Sequence, residues 1–140
     1  MRSVVYASRA LQPFGDAELL ALLHSARVRN EGFGVTGMLV YAVGSFLQLF
    51  EGEDDAVEVI WDRIRMDARH TDLRVIQDGA VQVRQFGEWS MGFEHPDQQR
   101  LEETLPGYRA GSVYPFVDSQ LVSTADTAST LLELYSRRSD

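Results

Sequence analysis

Residues 35–50 read Val35-Thr36-Gly37-Met38-Leu39-Val40-Tyr41-Ala42-Val43-Gly44-Ser45-Phe46-Leu47-Gln48-Leu49-Phe50. Two apolar runs, Val35 to Ala42 and Ser45 to Phe50, are joined at Val43-Gly44, the pattern of two strands in a hairpin. One residue is out of keeping with its neighbours: Gln48 stands where Leu or Val would pack without penalty. A buried amide must be hydrogen-bonded, or it costs roughly 1–3 kcal/mol. Gln48 therefore predicts a polar, specific partner, and a ligand would serve as well as the protein itself.

The flanking segments supply the rest of the order. Ser3 to Ser8 reads as a strand with Val4, Tyr6 and Ser8 on one face and Val5 and Ala7 on the other. Gln12-Pro13-Phe14-Gly15 breaks the chain, and Asp16 is placed to cap a helix. The spacing of Leu19, Leu22, Leu23 and Ala26 gives that helix one core-facing stripe, which one further turn extends to Asn30; Gly32 and Gly34 end it. After the hairpin, Asp55 with Glu58 three residues on resembles a capping box. It opens a helix that carries Val57, Ile60, Trp61 and Ile64 inward and runs to about Ala68. Leu73 to Arg84, interrupted at Asp78-Gly79, and Ser90 to Glu94 supply further strands. The order βαββαβ plus an extra strand predicts an α+β, ferredoxin-like fold: two helices on one face of a mixed five-stranded sheet. The first and third strands then lie side by side at its centre, which makes Tyr6 and Gln48 neighbours. Residues 96–140 differ in character. Pro96, Pro106, Gly107, Gly111 and Pro115 punctuate them, with a short helix near Asp97 to Thr104 and a last helix near Ser119 to Ser136. That last helix either covers the open sheet face or makes a protein interface.

Composition narrows the function classes. The 140 residues, 44% of them hydrophobic, suffice for one core, with residues 1–95 as the main domain and 96–140 as a helical extension. The net charge of −8 is the wrong sign for neutralising a phosphate backbone, so direct nucleic-acid binding is not expected. The absence of cysteine excludes disulfides, thiolate metal sites and a cysteine nucleophile. His24, His70 and His95 show no metal-ligand spacing, and the chain has no GxGxxG, Walker or GxSxG motif. No stretch is long and apolar enough for a membrane span, and the first residues enter a strand at once, so the expectation is a soluble cytoplasmic protein.

Several motifs, in order and at characteristic separations, resemble the BLUF domain, a flavin-binding blue-light sensor. They are Tyr6-Ala7-Ser8; Asn30 followed by Gly34-Val35-Thr36-Gly37-Met38-Leu39; Phe46-Leu47-Gln48 with Glu51-Gly52; Ile64-Arg65-Met66-Asp67-Ala68-Arg69-His70; and Arg84, Phe86, Trp89, Met91, Gly92 and Phe93. The resemblance spans roughly residues 2 to 94. It implies that Tyr6 donates an electron and proton to the excited flavin and that Gln48 bridges the phenol and the ring, with Trp89 and Met91 completing the photochemical group. By the same resemblance Asn30 holds the pyrimidine edge, Arg63 and Asp67 face the far edge or ribityl chain, Leu22 and Ile64 sandwich the ring, and His70 matches the family's histidine. Arg29 departs from the pattern, since several members carry Asn or His there, and its contact to the flavin or its phosphates is left open. The implied cofactor is FAD, with FMN or riboflavin as alternatives.

Taken singly, each position has an ordinary reading. Tyr6 could fill a core, Asn30 could be a helix C-cap, Arg63 and Asp67 have the spacing of a surface ion pair, and Trp89 and Met91 could be packing. Their joint occurrence carries the assignment. About 46 residues follow the BLUF-like segment, which leaves no room for a cyclase or phosphodiesterase; the resemblance therefore points to a short stand-alone photoreceptor, not an enzyme. Such a sensor signals through its last strand and C-terminal helices, or its sheet face, to a protein partner, and a homodimer is compatible with the apolar last helix. The alternatives are an acylphosphatase-like hydrolase using Arg29 and Asn30, and a colourless regulatory module that dimerises through its sheet.

Overall fold

The computed structural model describes residues 1–42, 44–84, 91–94 and 99. Its elements follow the expected order: β1 (Arg2–Ala10), α1 (Asp16–Phe33), β2 (Thr36–Ala42), β3 (Ser45–Gly52), α2 (Asp54–Met66), β4 (His70–Ala80) and β5 (Gly92–Glu94). The sheet order is β4-β1-β3-β2-β5. Its first four strands are antiparallel, whereas β5 joins the edge of β2 in parallel. The sheet is therefore mixed and five-stranded, as the alternation of elements implied.

Register places the chemistry. Tyr6 lies directly opposite Gln48, and Gln48 directly opposite Leu39, so these three share one face of three adjacent strands. Both helices pack on that face. Leu19 and Leu23 of α1 meet Leu39, Tyr41, Phe46 and Met91 in one cluster. Val57, Ile60, Trp61 and Ile64 of α2 meet Val4, Tyr6, Val35 and Phe50 in the other. Each of these aliphatic and aromatic side chains contributes about 1.5–3 kcal/mol when taken fully out of water. The opposite face is buried as well, through Val5, Ala7, Met38, Val40, Leu47 and Leu49. The C-terminal helices expected near 97–104 and 119–136, and the extension they would form, lie outside the described residues.

Two glycines are dictated by geometry. Gly34 closes α1 at φ 66°, ψ 29°, a left-handed conformation that costs a residue with a Cβ. Gly37 lets β2 pass against β3: a Cβ built there would stand 2.0 Å from the Leu49 carbonyl oxygen.

Local departures from the expected boundaries have local causes. The N-cap of α1 is Gly15 rather than Asp16, with the Glu18 carboxylate accepting from the Gly15 N–H at 3.2 Å. The helix runs through Gly32, and Gly34 alone terminates it, so Asn30 is an interior residue of the last turn and not the C-cap. The N-cap of α2 is Glu53, two residues ahead of the Asp55–Glu58 box, and Glu58 is drawn across to Arg2 on β1. At the other end α2 stops at Met66, and Asp67 is already extended at φ −71°, ψ 120°. The interruption expected at Asp78-Gly79 does not occur. Arg2 clamps Asp78 through two bonds of 2.8 Å, and Gly79 pairs with Ser3, so β4 continues to Ala80 with its irregularity displaced to bulges opposite Val5/Tyr6 and Ala7/Arg9.

Candidate functional site

A cleft opens between α1, α2 and the sheet. It is lined by Leu22, Ser25, Ala26 and Arg29 from α1, by Tyr6, Leu39, Phe46 and Gln48 from the strands, and by Phe14, Ile64, Asp67, Arg69 and His70 from the connecting ends. Counted to its open mouth and with the solvent space there, it encloses about 570 Å³. Helix periodicity explains the walls. Leu22 and Ala26 are one turn apart on α1, and Ile64 is the last core residue of α2 before the chain leaves the helix.

The floor carries the polar groups. The Tyr6 hydroxyl donates to Gln48 Oε1 at 2.5 Å, and both residues are buried, at 4% and 5% exposure. The opposed strand register brings this pair together across 42 residues of sequence. With its carbonyl turned to the phenol, the Gln48 amide turns Nε2 toward Met91, whose Sδ lies 3.8 Å away. The polar partner that the buried amide demanded is thus in part Tyr6. Tyr6 is itself held in an aromatic cage, with ring centroids 5.3 Å from Trp61, 6.3 Å from Phe50 and 6.1 Å from His70. This packing fixes the direction of its hydroxyl.

The far end of the cleft is charged. Arg29 lines it, and its Nε donates to Oδ1 of the fully buried Asn30 at 3.4 Å. Desolvation pulls the Arg29 guanidinium below its ordinary pKa, with Tyr6 and Asp67 nearby acting in the opposite sense. Asp67 and Arg69 form a forked pair, with Arg69 Nε 2.9 Å from Oδ1. The Arg69 guanidinium holds the Asp67 carboxyl below the usual carboxylate range. His70 ties three elements together: Nδ1 lies 2.7 Å from Ser8 Oγ and Nε2 lies 2.7 Å from the Ile64 carbonyl. A carbonyl only accepts, so Nε2 donates to it, and in the neutral ring Nδ1 accepts the Ser8 hydroxyl. At the other rim the Phe14 N–H donates to the Tyr41 hydroxyl at 3.1 Å, holding the loop before α1 against the sheet.

Seven of the residues picked out by sequence therefore converge: Tyr6, Leu22, Arg29, Gln48, Ile64, Asp67 and His70 all line the cleft. Asn30 sits beneath Arg29, and Met91 beside Gln48. Arg63 is placed differently, its guanidinium stacked 5.3 Å over the Phe33 ring and absent from the cleft lining. The ordinary ion pair that the spacing of Arg63 and Asp67 also allowed is not formed, because α2 ends before Asp67, which turns to Arg69 instead. Trp89 lies outside the described residues. Sequence reasoning missed Phe14, Ser25, Ala26, Leu39, Phe46 and Arg69 as lining residues. Arg69 was within reach, since it stands in the same charged motif as Asp67 and His70. Among the described residues no group of acidic, His or Cys side chains could hold a metal, and no helix is long and apolar enough to cross a membrane.

The arrangement has aliphatic side chains from both helices, a phenol and an amide at the floor, and guanidiniums at the charged end, a lining suited to a flat heterocycle with one polar edge. Comparison with known proteins points the same way. A family model for BLUF, described as sensors of blue-light using FAD, matches residues 1–92. The chain is 35% identical over 99 residues to the photoactivated adenylate cyclase subunit alpha of Euglena gracilis, and 34% identical over 92 residues to the subunit beta of Euglena longa. Those alignments cover 69% and 65% of this chain but only 10% and 11% of the relatives, so the chain spans about a tenth of their length. Among solved structures, the dark state of the BLUF protein BlrB superposes with a TM-score of 0.70 at 25% identity, covering 94% of this chain and 91% of that one.

Proposed function

The chain belongs to the BLUF family of flavin-binding blue-light sensors, and on that premise we propose that Tyr6 and Gln48 are its photochemical pair. The observation that supports this most directly is the 2.5 Å bond from the Tyr6 hydroxyl to Gln48 Oε1 at the floor of the cleft. A bound flavin supplies absorption of blue light and one-electron chemistry. The residues do the rest. Leu22 and Ile64 clamp the ring from the two helices, and Asn30, oriented by Arg29, offers its amide to the pyrimidine edge. Asp67, Arg69 and His70 form the charged end toward the ribityl chain. Arg63, drawn into this set by resemblance, acts at most from the periphery, through its stack on Phe33.

Tyr6 is the electron and proton donor, and its aromatic cage keeps its hydroxyl aimed at one acceptor. Gln48 carries the change onward because the two ends of an amide are chemically opposite: the carbonyl accepts and the amino group donates. Reversal or tautomerisation of this one group exchanges the hydrogen-bond pattern offered to Tyr6, to the ring and to Met91, with no diffusing reagent. The burial of both Tyr6 and Gln48 makes each such exchange costly to leave unsatisfied and so favours two discrete states.

The finer reading extends this. The flavin is FAD, the isoalloxazine ring being the part the cleft requires, with the Arg29 and Arg69 guanidiniums at its mouth suited to the phosphates. FMN or riboflavin would keep the same ring contacts. Residues 1–95 are the sensor, and 96–140 pass the change, with the last strand, to a protein partner in the cytoplasm. A partner responds only as far as it distinguishes the two states. The test is an absorption spectrum of the purified protein in the dark and directly after blue light, with Gln48→Leu alongside. Flavin bands that move slightly to the red, relax in the dark, and stay fixed in the variant are expected. A colourless protein that takes up no added flavin would overturn the proposal.

A further inference from the structure

Arg27, exposed and outside the cleft lining, follows Leu23 by one turn of α1, and its Nε donates to the Met91 carbonyl at 2.9 Å. Met91 precedes β5, for which the described residues give the register pairs Met38↔Gly92, Leu39↔Phe93 and Val40↔Glu94 at the sheet edge. As the end strand of the described sheet it is paired with β2 alone, and edge segments are among those that open at lower cost than the core strands. The Met91 side chain is nevertheless 2% exposed, seated among Leu19, Leu23, Leu39, Tyr41 and Phe46, with its sulfur 3.8 Å from Gln48 Nε2. A charge-assisted bond to its backbone from the neighbouring helix anchors this residue directly.

We propose that Arg27 is a positioning residue for the photochemical site: by holding the Met91 backbone it seats the thioether against the Gln48 amide and so favours the orientation in which Oε1 faces Tyr6. This rests on the function proposed above and adds a residue that acts through another. A thioether sulfur only accepts. It attracts the amino end of the amide and repels the carbonyl end, so its placement biases the two orientations unequally. The bias is small, because such contacts are weak; a half-kilocalorie effect corresponds to a change of about two- to threefold in an equilibrium or rate.

The test combines Arg27→Ala, Arg27→Lys, Met91→Ala and the double variant Arg27→Ala/Met91→Ala. Arg27 is exposed, so its replacement leaves the fold intact. The first readout is dark recovery after blue light. Arg27→Ala should change the rate about two- to threefold in the same direction as Met91→Ala, and the double variant should go no further than Met91→Ala alone, because the two side chains act as one unit. Arg27→Lys, which keeps a donor, should return the rate toward wild type. The second readout needs no light: the methyl resonance of Met91 in labelled protein should shift in Arg27→Ala. An unmoved Met91 methyl signal, or rate effects that multiply independently in the double variant, would overturn the proposal while leaving a working photoreceptor. A wild-type protein that shows no light-driven shift would instead sink the functional reading, and the methyl signal would still report on the anchor.

Discussion

Replacing Tyr6 by Phe and Gln48 by Leu, singly and together, separates what their hydrogen bond contributes to the fold from what it contributes to signalling. The Phe variant keeps the ring contacts to Trp61 and Phe50 and removes only the hydroxyl. The Leu variant keeps most of the volume between Tyr6 and Leu39 and removes the amide. Each single change leaves a buried polar group without the other, at a cost of about 1–3 kcal/mol, whereas removing both is nearly neutral. The coupling between the two then approaches the sum of the single costs, about 2–6 kcal/mol. Urea unfolding followed by circular dichroism reads this directly. With a slope near 2 kcal/mol per molar, each single variant should lower the midpoint by about 0.5–1.5 M and the double variant by less than either. All three should remain folded, and all three should lack the light-induced shift. If the double variant loses as much as the sum of the singles, to within about 0.5 kcal/mol, the bond contributes nothing to the fold and the argument from its geometry fails.

Four further outcomes follow from particular contacts. Gly37→Ala drives a Cβ into the Leu49 carbonyl, a backbone clash that cannot be relieved by a rotamer, so the melting temperature should fall by about 10 °C or more; a loss under a few degrees would show that β2 and β3 can part at that point. Leu22→Ala, at a half-buried wall of the cleft, should weaken flavin binding about tenfold in a fluorescence titration while costing little stability, and equal flavin affinity would contradict the clamp. Arg69→Ala should weaken flavin binding more than Arg63→Ala, since Arg63 stacks on Phe33 outside the cleft; the reverse order would favour the spacing-based expectation over the structure. Asp67 has its pKa lowered, chiefly by the Arg69 hydrogen bond, so its pairing stabilises the fold above the ordinary carboxylate range and is lost as pH falls through the lowered value. Asp67→Asn should therefore lower stability at neutral pH, converge with wild type at low pH where Asp67 is protonated in both states, and so flatten the acid limb of the stability profile; an unchanged acid limb would refute the linkage.

The arrangement of the elements was legible because each carried a clear period: alternation along β1, the Val57-Ile60-Trp61-Ile64 stripe of α2, and Gly44 at φ 69° between the two apolar runs of the hairpin. Adjacency of Tyr6 and Gln48 followed from topology alone. Helix ends were harder, because capping is decided by long-range competition: Glu58 is committed to Arg2, and Asp67 leaves the helix for Arg69. The same competition explains Arg63, whose helical spacing to Asp67 is meaningful only if Asp67 is helical. Residues such as Phe14, Ser25 and Leu39 line the cleft without any chemical signature. Their placement depends on how a loop and two helices meet over the sheet, which no local pattern encodes. Arg27 belongs to the same class, since nothing in the sequence of α1 announces that it reaches the backbone of Met91.

The most direct measurement is a light-minus-dark infrared difference spectrum of the flavin-loaded protein, recorded with natural-abundance and with isotopically labelled glutamine side chains. The account predicts side-chain amide bands that move with the label, appear on illumination, relax with the flavin absorption, and are absent in Gln48→Leu. A protein whose flavin bands shift and recover while no glutamine-sensitive band accompanies them would contradict it, and would place the light-driven change in some group other than Gln48.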